Sequence, residues 1–320
     1  MVYIGSCAGQ FLALNKATGK KIWGYDITQD GDQTSFHGNP LITGRLIVTG
    51  TDGPGIGHLY AFDSATGAMQ WRYPDESGYS TDLIRHDSTF FAVSMHDELD
   101  CLAIDSGQLV WYDSNPSEDS RPFSSSPALA GDVVFFGTRG GMVKALSADS
   151  GSVVWTRDLG SRIATAIVAS DDHLYLGTAS GYLYHLAQSN GETRDSLFVS
   201  DATERSATIG NPALTDSMLI VLCGGGKEII GVDRSLDQIR WRRTAETNWS
   251  SYRPHLWHGS VLIGDEQGNF CALDPASGTA QWTEKFEGTI RGIGSDGNLL
   301  FIGTLQGMVY AWEWDPQPKR

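Results

Sequence analysis

Two histidines lie three residues apart in the segment His255-Leu-Trp-His258, and paired imidazole nitrogens are common transition-metal ligands. A β-strand points residues i and i+3 to opposite faces, so this strand-like segment is not predicted to hold a metal. Asp30 and Asp32 offer two carboxylates, but the other ligand positions of a calcium loop are missing after them. The sequence therefore predicts a solvated turn there and no metal site.

Two glycine-rich stretches have the composition of phosphate-binding loops. The stretch from Gly53 to Gly57 lacks the helix N-terminus that holds a phosphate, because a strand starts at His58. The stretch from Cys223 to Lys227 resembles the end of a P-loop, yet Glu228 stands where a serine or threonine would bind magnesium. Both stretches are predicted to be turns, and the sequence predicts no catalytic residue.

The four cysteines are far apart in the sequence and form no Cys-x-x-Cys pair: Cys7, Cys101, Cys223 and Cys271. Neither a zinc site nor a redox motif is indicated by this spacing. Free cysteines behave as small hydrophobic residues, so all four are predicted to be buried thiols.

The formal net charge of −15 means that the average surface repels phosphate backbones and anionic headgroups. Nucleic acid is therefore excluded as the predicted partner. No apolar run approaches the roughly 18 residues that a membrane-spanning helix needs. A highly charged surface of this kind is compatible with a monomer.

One signature, Ala-x-Asp-x-x-Thr-Gly-x-x-x-Trp, recurs along the whole chain, and its best copy runs from Ala61 to Trp71. A degraded copy has His185 at the alanine position and Asp195 at the tryptophan position, and the chain ends inside an eighth copy that begins at Ala311. The period is 40 to 48 residues, which fits one four-stranded propeller blade. Six copies end in tryptophan: Trp23, Trp71, Trp111, Trp155, Trp241 and Trp282.

Each copy follows two further strand-like runs. The nearer run is rich in β-branched and aromatic residues and ends in a Gly-Thr step, as at Gly137 and Gly303. The farther run often contains a proline, as at Pro40, Pro127 and Pro212. The sequence thus predicts an all-β, eight-bladed β-propeller of four-stranded antiparallel blades, with seven blades as the alternative.

The repeated residues have physical roles. Asp63 and its equivalents can accept hydrogen bonds from the next backbone amides, and Gly67 can adopt the positive φ of such a turn. Trp71 offers a flat apolar face and an indole N–H that needs a partner. The six tryptophans are therefore predicted to dock each blade onto its neighbour.

The signature resembles the tryptophan-docking repeat of the PQQ-like (quinoprotein-type) β-propeller superfamily, and the resemblance covers essentially the whole chain. That superfamily includes quinoprotein alcohol dehydrogenases, BamB-like outer-membrane assembly proteins and sensor domains of bacterial kinases. Its dehydrogenases hold their cofactor against a vicinal Cys-Cys disulfide beside a calcium ion. This sequence has no adjacent cysteines, so no cofactor and no enzyme activity are predicted.

The resemblance implies a noncatalytic scaffold, nearest in kind to the BamB-like proteins, that binds another protein in the bacterial periplasm or cell envelope. Two alternatives stay open: a ligand-sensing domain of a larger signalling protein, and a PQQ-dependent dehydrogenase-like protein.

Propellers bind through a central channel and the loops at their rims. Alignment of the inner strands places five larger or charged residues towards the axis, either solvating a channel or lining a small-molecule pocket: His37, Asp82, Tyr252, Arg253 and Arg291. Trp249 and Trp257 flank the same segment, which makes it a candidate protein-binding rim because aromatic residues and arginine favour interface hot spots. The acidic loop from Asp113 to Arg121 is a weaker candidate than an ordinary solvated loop.

Residues 1–320 are predicted to form one propeller domain with incomplete first and last blades. No signal peptide or lipobox precedes Val2, the first copy begins at its second strand, and the last copy stops after its third. Either residues upstream of this sequence close the ring, or one blade is incomplete.

Overall fold

The computed structural model describes residues 1–31, 35–53, 57–75, 78–115, 125–201, 208–250 and 253–313. Within them the chain forms eight antiparallel sheets in chain order, six with four strands and two with three. The predicted eight-bladed all-β propeller is confirmed, and the seven-bladed alternative is wrong. Among these residues no helix is long and apolar enough to cross a bilayer.

The chain divides into two compact units, 1–163 with 189–191 and 164–188 with 192–320. The organisation as a single domain therefore stays a prediction. Sheets one to four supply the strands of the first unit, and sheets five to eight supply those of the second.

The first four sheets contain fifteen of the strands, each sheet running from its inner to its outer strand. Their bounds are β1 Val2–Gly5, β2 Gln10–Leu14 and β3 Lys21–Asp26; β4 Ser35–Ile42, β5 Leu46–Asp52, β6 Gly57–Asp63 and β7 Met69–Asp75; β8 Ile84–His86, β9 Thr89–Val93, β10 Glu98–Ala103 and β11 Leu109–Ser114; β12 Ala128–Ala130, β13 Val133–Gly137, β14 Met142–Ser147 and β15 Val153–Asp158.

The second four sheets follow the same order. Their bounds are β16 Val168–Ser170, β17 His173–Gly177, β18 Tyr182–Ala187 and β19 Thr193–Phe198; β20 Thr208–Leu214, β21 Met218–Cys223, β22 Glu228–Asp233 and β23 Ile239–Thr244; β24 His255–Trp257, β25 Ser260–Gly264, β26 Asn269–Leu273 and β27 Ala280–Lys285; β28 Ile290–Asp296, β29 Leu299–Thr304 and β30 Val309–Glu313. Two short 3₁₀ turns, Ile27–Asp30 and Gly224–Gly226, complete the described elements.

The turn before each outer strand forms as the sequence predicts. In the second sheet, Asp63 Oδ1 accepts hydrogen bonds from the amides of Ala65 and Thr66 at 3.1 and 2.9 Å and from the Thr66 hydroxyl at 2.8 Å. The amide of Gly67 donates to the carbonyl of Asp63 at 2.9 Å, and its φ of +74° closes the turn. Because these bonds favour the ionised carboxylate, they hold the pKa of Asp63 below its ordinary value.

The outer-strand tryptophan of one sheet lies on this turn of the next sheet. Trp23 Nε1 donates to the carbonyl of Ser64 at 3.0 Å, and a Cβ added at Gly67 would lie 2.5 Å from the Trp23 ring. The geometry repeats along the chain. Trp71 donates to Ile104, Trp111 to Ala148 and Trp241 to Pro275, and the rings face Gly107, Gly151 and Gly278, while the ring of Trp155 faces Gly191.

Successive sheets also meet through their inner strands. The amide of Phe36 donates to the carbonyl of Ser6, and the amide of Tyr79 donates to that of Thr51. The incoming strand passes so close that a Cβ on Gly50 would lie 2.5 Å from the carbonyl oxygen of Tyr79. This close approach explains why the second strand of several sheets ends in glycine.

The joint between the fifth and sixth sheets differs from the others. Asp195 replaces the tryptophan, and the receiving turn has Leu236 in the left-handed region, at φ +59°, and Asp237 where other turns have glycine. Leu236 is buried in one cluster with Tyr175 and Leu183 of the fifth sheet. The apolar anchor therefore comes from the sixth sheet, and the glycine is dispensable because no indole lies above it.

This geometry predicts that a methyl group costs more at Gly67 than at Gly19. Both residues have positive φ, but nothing lies within 4 Å of a Cβ at Gly19. Gly19→Ala should cost about 1 kcal/mol of unfolding free energy from backbone strain alone. Gly67→Ala should cost about 3 kcal/mol, because the methyl group also displaces the Trp23 ring. Urea unfolding measures both losses, and equal losses would contradict the docking geometry.

Candidate functional site

The structure separates the predicted channel residues into different environments. His37 lies on β4, and its Nδ1 contacts both carboxylate oxygens of Asp52 at 2.9 and 2.8 Å. Asp82 Oδ1 accepts the amide of Asn39 at 2.7 Å, and the Asp82 amide donates to the Ser126 hydroxyl at 3.2 Å. The Asp82 backbone and carboxylate thus connect neighbouring inner strands.

The other predicted axis residues lie in the second unit. Arg253 is partly buried ahead of β24, and Arg291 is exposed on β28. Tyr252 lies outside the described residues, as do residues 116–121 of the acidic loop. A common pocket for the five axis residues stays a prediction.

The two tryptophans of the predicted rim are core residues. Trp249 is 4% exposed and packs in a cluster with Trp241 and Ile263. Trp257 is 8% exposed, and its Nε1 donates to the carbonyl of Gly297 at 3.0 Å. Burial leaves these rings little surface for a partner, so the structure gives them packing positions.

A different aromatic group is exposed at one edge of the fifth sheet. In most sheets the first residue of the third strand pairs with the last residue of the fourth, and at least one of the two is polar or charged. These pairs are Gln10↔Asp26, Gly57↔Asp75, Glu98↔Ser114, Met142↔Asp158, Glu228↔Thr244 and Asn269↔Lys285. In the fifth sheet the pair is Tyr182↔Phe198.

Tyr182 and Phe198 are 39% and 45% exposed, and their ring centroids lie 5.2 Å apart. The ring of Tyr184 lies 6.2 Å from that of Tyr182. Beside them, Arg242 Nη2 donates to the carbonyl of Val199 at 2.9 Å, and Nη1 pairs with Glu228. We call Tyr182, Tyr184, Phe198 and Arg242 the aromatic surface.

The chemistry of the aromatic surface is that of a protein-binding hot spot. Aromatic rings offer a large apolar contact area for little conformational entropy, and arginine combines a charge with a planar stacking face. The Glu228 carboxylate and the Val199 carbonyl already hold Arg242 in place, so the guanidinium is ordered before binding. Sequence reasoning missed this surface because the signature ends at Asp195, three residues before Phe198. Comparing the paired positions across the repeats could have found it.

The same sheet contains a buried histidine pair at its atypical joint. His185 Nε2 lies 2.8 Å from His173 Nδ1, and the His185 ring stacks on Tyr175 with centroids 5.0 Å apart. Arg234 of the sixth sheet lies over the other ring, 5.9 Å from the Tyr175 centroid. Desolvation lowers the pKa of His185, and the nearby positive charge of His173 lowers it further.

The cysteines do not fit the cofactor site of a quinoprotein dehydrogenase. Cys7, Cys101, Cys223 and Cys271 belong to the first, third, sixth and seventh sheets, so no two of them form the adjacent pair. In the part of the chain that the structure describes, no three His, Cys, Asp or Glu side chains are grouped so that they could hold a metal ion.

The chain matches known proteins along most of its length. The family model described as outer membrane protein assembly factor BamB matches residues 1–117 and 95–316. BamB of Yersinia pestis is 24% identical over 174 residues, which cover 50% of this chain and 43% of the relative. BamB of Moranella endobia is 21% identical over 278 residues, which cover 83% of this chain and 71% of the relative. The chain spans about half the length of the first curated relatives that it matches.

The crystal structure of BamB from Moraxella catarrhalis superposes with a TM-score of 0.80 at 20% sequence identity. The match covers 98% of this chain and 93% of that chain. This likeness supports the propeller fold.

The histidine pair predicts a pH-dependent stability. Because the pKa of His185 lies below its ordinary 6.5 in the folded state, the unfolded chain binds an extra proton as the pH falls through 6.5. The unfolding free energy should therefore fall on acidification below about pH 6.5. His185→Ala, which restores the residue of the other repeats, should make this fall shallower by up to one proton.

Urea unfolding from pH 7.5 to 5 measures both slopes. His58 and His255, whose pKa values burial also lowers, contribute equally to the wild type and the variant. Identical slopes in the two proteins would contradict the assignment to His185.

Proposed function

We propose, because the chain belongs to the family of the outer membrane protein assembly factor BamB, that it is a noncatalytic propeller that binds another protein during outer-membrane assembly. The family match over nearly the whole chain carries this proposal. The absence of adjacent cysteines in the sequence supports a role without quinone chemistry.

The docking face of the proposed scaffold is the aromatic surface. Burial of one aromatic ring removes about 150–250 Å² from water, so two or three rings supply the core of an interface. An exposed aromatic pair on a rigid sheet also loses little entropy on binding. The partner that fits has an apolar groove or an apolar strand edge of matching width.

The proposed location is the bacterial cell envelope, on its periplasmic side, where proteins of the outer membrane are assembled. The proposed functional form is a monomer, because a net charge of −15 disfavours self-association through the general surface. The partner then meets the propeller through one local apolar surface within a repelling field.

The aromatic surface predicts a specific loss of partner binding. In an envelope extract, the tagged wild-type chain should co-purify a component of the outer-membrane protein assembly machinery, quantified by mass spectrometry. Tyr182→Ser and Phe198→Ser together should weaken that binding roughly tenfold or more, because both anchors of the hot spot are removed. Thermal melting should show that the variant stays folded, since both side chains are exposed.

The matched control is Val153→Ser with Val154→Ser, which removes two exposed apolar side chains from the outer strand β15. This control should retain the partner. Equal recovery with both double variants would reject the aromatic surface, whereas a wild-type chain that recovers no assembly component would reject the proposed function itself.

A further inference from the structure

Three side chains of the first two sheets form a connected chain that the scaffold role does not use. Cys7 lies in the turn between β1 and β2, His37 on β4 and Asp52 at the end of β5. His37 Nε2 lies 3.7 Å from Cys7 Sγ, and His37 Nδ1 lies 2.8 and 2.9 Å from the Asp52 carboxylate oxygens. The prediction that Cys7 is buried is wrong, because this thiol is exposed.

The carboxylate determines which nitrogen of His37 faces the thiol. A carboxylate accepts the hydrogen bond from Nδ1–H, so in the neutral imidazole the lone pair is on Nε2. That nitrogen faces the sulfur and can take its proton. The resulting imidazolium is stabilised by the Asp52 carboxylate, which gives a thiolate–imidazolium pair of the kind that activates nucleophilic cysteines.

The backbone fixes this arrangement. In the β4–β5 register His37 pairs with Gly50 and Ser35 pairs with Asp52, so His37 and Asp52 are diagonal neighbours on one face. The Phe36 amide donates to the carbonyl of Ser6 at 3.1 Å, which holds β4 beside the turn that contains Cys7. The Ser35 hydroxyl donates to the Cys7 carbonyl at 3.4 Å.

The other three cysteines lie in the opposite environment. Burial raises the pKa of the Cys101 thiol to about 11 and that of Cys223 to about 12, and it also raises the pKa of Cys271. Buried protonated thiols are poor nucleophiles. The folded chain thus contains three inert thiols that serve as internal controls for the exposed one.

We infer that Cys7 is a histidine-activated thiol that exchanges with low-molecular-weight disulfides and takes up a reversible mixed disulfide. The Cys7 thiolate attacks one sulfur of the small disulfide, a new S–S bond forms to Cys7, and the original S–S bond breaks. The departing thiolate takes the proton from the His37 imidazolium. Cys7 is oxidised, the released half of the disulfide is reduced, and the imidazole returns to its neutral form.

The site is open to such a reagent. Cys7 is exposed, and the His37 side chain is 43% exposed, so a small disulfide can approach the sulfur and the imidazole together. The Asp52 side chain is 18% exposed and lies on the far side of the imidazole from the sulfur. Its negative charge stabilises the imidazolium without blocking the thiol.

The test is the rate of mixed-disulfide formation with oxidised glutathione at pH 6, followed by intact mass and peptide mapping. At this pH an ordinary thiol is almost entirely protonated. Proton transfer to His37 increases the thiolate fraction greatly, but a more acidic thiol is also a weaker nucleophile, so the net gain is about tenfold. His37→Gln should therefore slow the reaction of Cys7 about tenfold, and Asp52→Asn should slow it less.

Two controls make the result specific. His96→Gln removes an exposed histidine from the turn before β10 and should leave the rate unchanged. In concentrated urea the difference between the wild type and His37→Gln should disappear, because the pairing needs the fold. Cys7→Ser should take up no glutathione on the same timescale.

A His37→Gln rate equal to the wild-type rate at pH 6 would overturn the inference, because exposure alone would then explain the reactivity. Glutathione mapped equally to Cys101, Cys223 or Cys271 in the folded protein would overturn it as well. Neither result bears on partner binding, because the aromatic surface lies in the fifth and sixth sheets.

Discussion

The contact between a tryptophan ring and a glycine in the next sheet is the interaction on which the described structure depends. Trp23 illustrates it, because its ring lies where a side chain at Gly67 would be and its indole N–H donates to the carbonyl of Ser64. The ring removes apolar surface from water, and the hydrogen bond satisfies a polar group that would otherwise be buried unpaired. Each sheet therefore constrains the sequence of the turn that follows it.

The fifth sheet is the exception, and its unusual features occur together. Without a tryptophan on β19, the joint is made by Leu236 from the sixth sheet and by the stack of His185, Tyr175 and Arg234. Strands β18 and β19 also contain the aromatic surface. We interpret the fifth sheet as the one in which docking to a neighbouring sheet is relaxed and binding to another protein is added.

Much of the fold could be predicted from the sequence, because the turn chemistry is local. The bonds to Asp63 and the positive φ of Gly67 involve residues within four positions of each other. The steric role of Gly67 could not be predicted, since it depends on a ring 44 positions earlier in the chain. The rim residues Trp249 and Trp257 were expected to be exposed because composition does not distinguish a buried aromatic residue from an exposed one. Cys7, His37 and Asp52 were not connected because they come from three different strands or turns.

The central claim is that partner binding is located on the fifth sheet. The most direct measurement places a photo-crosslinking amino acid, one sheet at a time, at the equivalent first position of the third strand: Gln10, Glu98, Met142, Tyr182, Glu228 and Asn269. After irradiation of intact cells, crosslinks to a component of the outer-membrane assembly machinery should form at position 182 and be weak or absent at the others. Crosslinks of equal yield at all six positions, or a maximum in another sheet, would contradict the account.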